Sequence, residues 1–499
     1  MVDPCLLVSA DGPSFRARGQ TACRLGHEIP RPGGERPDGV FGGWSWDGIT
    51  LRADGDRYGL FPIYYFSTPQ RFAISPSIPA LLALDPPLDL DDTARAVFLR
   101  LGFFLGEDTP FRSIRALPPG ATIEWSVGRL QLAGGMPAWR MQPLSRDAAI
   151  DGFVDLFRAA MARRARPDEE VAVPLSGGRD SRHILLELCR AGRRPKFSVT
   201  LRHYPPTPDE DARIAGLVAR RAGVPHVILP QVESRIDAEI RKNRITNFCA
   251  DEHAWMLALG EYLPGRASHS YDGIGGDVLS AGLFLTAARL QRFDTGQFEV
   301  LAGELLRANE GRTGELIAPE WAERLGHESA VRRLTAELAR HAEAPNPVGS
   351  FFFWNRTRRE IALASYRILN GGTEVLSPYL DHDLFDFLAS LPASLMLDRQ
   401  FHSETIRRAY PEYADIPFED RGARPKWSAF HFRQCAAEVA TWAQRGREAR
   451  PAVQLAHCAG ILGRARAGIA FGSSARFDWR MTVFAVYLMQ LSREMSQPA

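Results

Sequence analysis

The sequence predicts an α/β protein in two parts. A small, mainly antiparallel β-domain occupies residues 1–145, and a parallel sheet with a helical extension occupies residues 146–499. Three observations predict it. Residues 1–145 are rich in glycine, proline, tryptophan and β-forming residues, set as short apolar runs between turns. From about residue 147 strand-like and helix-like runs alternate, the pattern of a parallel sheet with helices on both faces. The stretch Leu175-Ser176-Gly177-Gly178-Arg179-Asp180-Ser181 stands between an apolar run and an amphipathic one, which puts a glycine-rich loop at a strand tip.

In the first part, strands are expected at Val40–Trp46, Ile49–Arg52, Ile63–Phe66, Phe72–Ile74 and Thr122–Trp125. Asp91–Leu101 is a helical interruption, with Asp91 and Asp92 suited to its N-terminus. In the second part, strands Val171–Leu175 and Phe197–Leu201 alternate with helices Ala148–Arg163, Asp180–Arg190 and Asp209–Ala222. Beyond about residue 285 the pattern is helical. Val331, Leu334 and Leu338 recur at helix spacing, and helices are expected from Trp354 onward, broken by Pro378, Pro392 and Pro425.

Composition narrows the function classes. The 499 residues carry 61 basic and 59 acidic side chains, net +2, which gives no electrostatic support for a nucleic-acid or membrane-surface partner. Arg445–Arg450 reads as a solvated surface or linker, since no aromatics interleave it. The longest apolar segment, around Met481–Leu491, is short of the ~20 residues of a membrane span and reads as a buried helix. Cys5, Cys23, Cys189, Cys249, Cys435 and Cys458 are scattered, without a C-x-x-C pair or zinc-like spacing. They read as reduced, mostly buried thiols of a cytoplasmic protein, and the N-terminus shows no signal-peptide pattern.

The loop at Leu175–Ser181 has the makings of a pyrophosphate cradle. Gly177 and Gly178 permit close backbone approach, and the following helix would point its N–H groups and positive dipole end at an anion. Ser176 and Ser181 add hydroxyls, and Asp180 adds a carboxylate where a phosphate-bound cation would sit. The plain alternative is a turn with a capped helix. The loop resembles the PP-loop, SGGxDS, of ATP pyrophosphatases; it lacks the lysine of a Walker loop. A second loop, Asp272-Gly273-Ile274-Gly275-Gly276-Asp277, follows about a hundred residues later. A later strand tip beside the first would let Asp180 and Asp277 share a magnesium ion, because hard oxygen ligands suit that cation.

Further motifs in order make the chain similar to the asparagine synthetase superfamily. Glu374-Val375-Leu376-Ser377-Pro378-Tyr379-Leu380-Asp381 resembles that family's EVRxPFLD signature, and Arg424-Pro425-Lys426-Trp427-Ser428-Ala429-Phe430 its late R-x-K-x-x-F element. Asp54–Tyr65 resembles the RDxxGxxPLYY strand pair of its amidotransferase domain, and Phe111–Gly120 the segment that closes that domain. The resemblance implies an adenine nucleotide α-hydrolase-like sheet preceded by an N-terminal-nucleophile-like β-domain. It implies ATP and Mg2+ as cofactors. Leu175, Ser176, Gly177, Gly178, Asp180, Ser181, Gly275 and Gly276 would bind nucleotide, Asp180 and Asp277 the metal, and Lys426 would join those two aspartates in catalysis.

Departures from the family bear on function. Met1-Val2 stands where the family's glutaminases have Met-Cys, and about forty residues precede Gly39–Trp46 where the family uses roughly a hundred to build its glutamine pocket. The first part is therefore expected to be a truncated, non-glutaminase remnant. Ile274 replaces the glutamate of GEGxDE, Val278 the glutamate after the aspartate, Leu376 the arginine of EVR, and Arg179 an aliphatic residue. These changes resemble members that close rings or join other amines, such as β-lactam synthetases and lasso-peptide cyclases.

The expected activity is an ATP-dependent ligation that forms AMP and pyrophosphate and joins a carboxylate to an amine. The substrate would be a small molecule or peptide bearing both groups, with a precursor peptide and companion biosynthetic proteins as further candidate partners. Asp251-Glu252 and Asp209-Glu210-Asp211 line the site or begin helices; the sequence leaves both open. Rival readings are a glutamine-hydrolysing asparagine synthetase, a non-catalytic nucleotide-binding homologue, and a tRNA-modifying or sulfur-transfer enzyme. The last would want cysteine pairs and a more basic surface.

Overall fold

The computed structural model describes residues 3–419, 437–438 and 479–496, apart from positions 13, 88, 167–168, 203, 205–208, 232, 317–320, 322 and 370. Two five-stranded antiparallel sheets come first. One runs β2 (Ser14–Gly19), β1 (Leu6–Asp11), β7 (Arg71–Ser75), β6 (Tyr64–Ser67) and β8 (Arg115–Ala116). The other runs β10 (Arg129–Ala133), β9 (Thr122–Ser126), β5 (Leu51–Gly55), β4 (Asp38–Trp46) and β3 (Ala22–Ile29). The two pack face to face through apolar residues at period-2 positions. Phe72 of the first sheet meets Trp125 of the second with ring centroids 5.8 Å apart.

Sequence patterning finds five strands of these two sheets and misses the other five, among them β1, which is buried at Leu6, Leu7 and Val8 and pairs on both sides. β1, β2, β3, β8 and β10 escape it; β3 alternates in exposure, with Arg24 and Glu28 outward, but His27 stands on its inner face where an apolar residue would mark a strand. These strands hold their register through the neighbour they pair with, as in Leu6↔Gly19 and Ile29↔Asp38. The helical interruption is α2 (Asp92–Leu101), after a short α1 (Ile78–Leu82). Asp91 caps α2, accepting from the Ala94 N–H at 2.9 Å.

The second sheet system is parallel, in the order β13 (His226–Leu229), β12 (Phe197–Leu201), β11 (Val171–Pro174), β14 (His269–Tyr271) and β15 (Glu374–Leu376). α3 (Arg146–Arg163) leads into it, α4 (Asp180–Arg190) follows β11, and α5 (Glu210–Ala222) follows β12. The chain builds outward from β11 to β12 and β13, then returns to place β14 on the other side of β11. That reversal between β11 and β14 is a topological switch point. In open parallel sheets the crevice for ligands lies there, beyond the carboxyl ends of the strands.

Helices dominate after β14, as expected, but β15 interrupts them, and Phe353–Ile361 and Ala364–Ile368 form π-helical turns. Met481–Leu491 lies within helix Trp479–Ser496, whose Phe484, Val486, Tyr487 and Leu491 are buried. No helix among the described residues is long and apolar enough to cross a membrane. The expectation of mostly buried thiols is corrected. Among the described cysteines only Cys249 is buried, while Cys5, Cys23 and Cys189 lie at strand or helix margins with intermediate exposure. Cys435, Cys458, Arg445–Arg450 and Pro425 lie outside the described residues.

Asp381 of the EVLSPYLD stretch holds the two halves together. Arg164, fully buried after α3, donates to Asp38 of β4 at 2.8 Å and to Asp381 at 2.7 Å. Asp381 also takes Arg163 and caps the helix His382–Ser390. Its carboxyl is thereby held well below the usual carboxylate range: burial opposes the shift, and the two guanidiniums outweigh it.

Candidate active site

β11 and β14 are parallel neighbours, so the loops that leave them are adjacent although about a hundred residues separate them in sequence. Their contact is tight. A β-carbon on Gly273 would come within 2.6 Å of Asp180 Cβ, and one on Gly276 within 2.6 Å of Asp180 Oδ1. Only glycine leaves room for the aspartate at either position. Gly275 supplies the turn, with φ +87°, ahead of the helix Gly276–Ser280.

The first loop folds on itself. Ser176 N–H donates to Ser181 Oγ at 3.0 Å, the two hydroxyls lie 3.1 Å apart, and Gly178 N–H donates to Ser176 Oγ at 3.2 Å. Gly177 N–H donates to Asp211 Oδ1 at 2.7 Å, which brings the start of α5 to the loop. Neither Gly177 nor Gly178 takes a positive φ. Close packing sets the need at Gly177: a β-carbon there would lie 3.1 Å from both Glu419 Cβ and Ile214 Cβ.

Both loops open into one cavity of about 600 Å3. Leu175, Ser176, Asp180, Ser181, Gly275 and Asp277 line it, together with Asp211, Glu252 and Glu419. Val199, Thr200 and Leu201 at the end of β12 form one wall; Trp255, Met256, Leu259, Ile274 and Ile361 form an apolar one. Gly177, Gly178 and Gly276, expected to bind nucleotide, are not among the lining residues, and neither is the buried Val278. Lys426 lies outside the described residues.

Asp180 is held unevenly. Its Oδ1 lies 3.3 Å from His402 Nδ1, yet that nitrogen is engaged with Ser280 Oγ at 3.0 Å, and Oδ1 receives no hydrogen bond. His402 in turn meets His183 at 3.2 Å, and burial pushes His183 well below its ordinary pKa, helped by His402 and Arg158. Asp272 is structural: its oxygens accept from Ile274 N–H and Ser365 Oγ, both at 2.8 Å, while burial raises its carboxyl. Arg179, noted for replacing an aliphatic residue, donates to Ser403 Oγ at 2.6 Å and stacks on Phe418.

Sequence reasoning missed His253, Arg356 and Glu360. Arg356 donates to Glu252 at 3.1 Å and lies 3.4 Å from Glu360. Burial lowers the guanidinium's pKa, but Glu360, Glu252 and two aspartates raise it overall. Glu360 is buried and its carboxyl is pushed well above the ordinary range, with Arg356 opposing. These residues belong to a π-helical segment and an irregular loop, so no periodic or glycine motif marks them.

A parallel sheet with paired glycine loops and carboxylates at its switch point defines a class of nucleotide-handling α/β enzymes. The chain belongs to the asparagine synthase family, whose model matches residues 152–419, over half its length. That family consists of ATP-using carbon–nitrogen ligases. A search of curated proteins finds no match. Among solved structures, the chain is similar to the U34-tRNA thiolase NcsA from Methanococcus maripaludis with its 4Fe-4S cluster. Identity is 10%, coverage 68% of this chain and 86% of that one, and the TM-score 0.23. So loose a superposition assigns neither ligand nor activity.

Proposed function

We propose that this protein is an ATP-dependent ligase that adenylates a carboxylate, releases pyrophosphate, and joins the acyl group to an amine with loss of AMP. The product is an amide, lactam or isopeptide bond within a specialised biosynthetic pathway. The observation that carries the reading is the seating of Asp180 against Gly273 and Gly276, which delivers two acid-bearing loops to one cavity. Family membership supports ATP as the energy source.

Ser176, Gly177, Gly178 and Ser181 would take the pyrophosphate end of ATP. The N–H groups of Gly177 and Gly178 now bonded to Asp211 and Ser176 would turn to phosphate oxygens. Asp180 and Asp277 would hold magnesium; the buried, unbonded Oδ1 of Asp180 suits a hard cation. Bound there, the ion would neutralise phosphate charge. Lys426 would stabilise charge on the phosphates and on the tetrahedral centre that the amine forms at the acyl carbon.

Residues 1–145 act as an amidotransferase-like remnant without glutaminase activity, and residues 146–499 carry the ligation. Support comes from Asp3, which is paired with Arg367 at 2.9 Å, and from the Cys5 carbonyl, which accepts from Gln20 N–H at 2.8 Å. Both tie the residues around Cys5 into the surrounding structure. The substrate is a small molecule or peptide bearing a carboxylate and an amine, with a precursor peptide and companion proteins as partners.

Product analysis tests the reading. Incubation of the full chain with ATP, magnesium and a panel of aspartyl and glutamyl peptides should yield AMP and pyrophosphate. ADP and phosphate would overturn it.

A further inference from the structure

Asp211, from the acidic triple at the start of α5, has no role in that reading. We propose that it is a latch on the phosphate cradle: its carboxylate holds the Gly177 N–H that a phosphate oxygen would take, so nucleotide enters by displacing it. The latch rests on the reading of Leu175–Ser181 as a pyrophosphate cradle.

Geometry sets Asp211 apart from its neighbours in the triple. Asp209 lies 3.6 Å from Arg202, and the two oxygens of Glu210 accept from Arg213 at 2.6 and 2.9 Å. Asp211 instead reaches across to the loop, where its Oδ1 accepts from Gly177 N–H at 2.7 Å. That distance is at the short end for N–H···O, and a bond to a carboxylate is about twice as strong as a neutral one. Asp211 lines the cavity and Gly177 does not, so the carboxylate covers the N–H on the cavity side.

The neighbouring donors are engaged from within the loop, Ser176 N–H by Ser181 Oγ and Gly178 N–H by Ser176 Oγ. Those hydroxyls are neutral and turn about a single bond, so they can donate to an incoming phosphate. Gly177 N–H is held by an anion from another element. A carboxylate and a phosphate oxygen repel each other and cannot share it. Entry of phosphate therefore exchanges one charge-assisted bond for another, and this donor adds little net affinity while Asp211 competes for it.

The seat beneath the latch does not depend on it. The Gly177 carbonyl accepts from Glu419 N–H at 2.9 Å and from Arg182 at 3.2 Å. Ile214 of α5, 1% exposed, packs beside the same glycine. Loop and helix thus keep their contact when only the Asp211 side chain rotates into the cavity.

Affinity separates a latch from a brace. Loss of a latch tightens binding, whereas loss of a brace or of a metal ligand weakens it. The full chain is titrated calorimetrically with pyrophosphate in EDTA, and separately with ATP and magnesium. Dissociation constants should fall by about tenfold or more in Asp211→Ala. They should fall by less in Asp211→Asn, whose amide oxygen still accepts but carries no charge. Glu210→Gln is the control, since Glu210 lines the same cavity and its replacement removes the same charge without touching the loop. Screened by solvent, it should shift either constant by less than about threefold. Equal tightening in Glu210→Gln and Asp211→Asn would reduce the effect to bulk charge and overturn the latch. Unchanged or weaker binding in the Asp211 variants overturns it as well. Wild type and Asp211→Ala that both bind neither probe fail the cradle reading instead.

A second measurement needs no ligand. Ser176-Gly177 is the only Ser-Gly pair in the sequence, so isotope labels on serine carbonyl and glycine nitrogen single out the Gly177 amide by NMR. Its proton should move upfield in Asp211→Ala, less so in Asp211→Asn, and stay in place in Glu210→Gln. A Gly177 resonance indifferent to Asp211→Ala would show that the carboxylate does not hold this donor, and the proposal falls.

Discussion

Asp180 and Gly276 meet so closely that a β-carbon on the glycine would fall within 2.6 Å of the aspartate's Oδ1. Gly276→Ala should therefore displace the carboxylate and cut ATP-dependent turnover by at least an order of magnitude while the fold persists. Gly303→Ala is the control: nothing lies within 4 Å of its added methyl, and alanine in a helix gains about 0.5–1 kcal/mol over glycine. Pyrophosphate release and thermal melting of both variants check the pair. Equal activity in the two would dissociate the contact from catalysis.

Asp180→Asn and Asp277→Asn should each lower turnover by orders of magnitude with little change in melting temperature. Each removes a charge from the cavity wall without removing volume. Titration of pyrophosphate release against magnesium should show a raised requirement in both variants. Normal turnover in either would remove that residue from the metal assignment.

Lys426→Ala should slow the chemical step far more than it weakens ATP binding. A cation aimed at charge that develops in the transition state acts there, and its loss costs about 3–4 kcal/mol in the barrier. Single-turnover kinetics beside nucleotide titration separate the two effects.

Cys5→Ala should leave amide synthesis unchanged, and glutamine should release no glutamate from the purified protein. A coupled glutamate assay reads this directly. Glutamate that depends on Cys5 would make glutamine-hydrolysing asparagine synthetase the leading reading.

Glu337 carries a pH prediction. Burial raises its carboxyl, but His341, Arg333 and Arg340 outweigh that and hold the pKa down at about 2. A depressed folded-state value means that the stabilisation is fully present above the ordinary carboxylate range. It is lost as pH falls through that range towards 2. Glu337→Gln should lower stability at neutral pH and flatten the acid limb of a melting-temperature profile. An unchanged acid limb would show that the cluster does not contribute.

Sequence by itself determined the α/β class, the strand–loop–helix at Val171–Arg190, and the family motifs. Each of these is written locally: buried strands in apolar runs, loops in glycine, helix starts in acidic caps. It also singled out Asp180 and Asp277, because glycines beside an acid mark a loop wherever they fall. Tertiary structure decided which acids face one another. The EVLSPYLD signature reads like a site motif, yet Asp381 serves the buried Arg164 bridge to Asp38. His253 and Glu360 carry no local signal, since they meet only through a 3.9 Å approach between segments about a hundred residues apart. Local patterns report which face a residue buries. Strand order at the switch point sets which distant loops share a cavity, and that order depends on sheet pairing that no window of sequence contains.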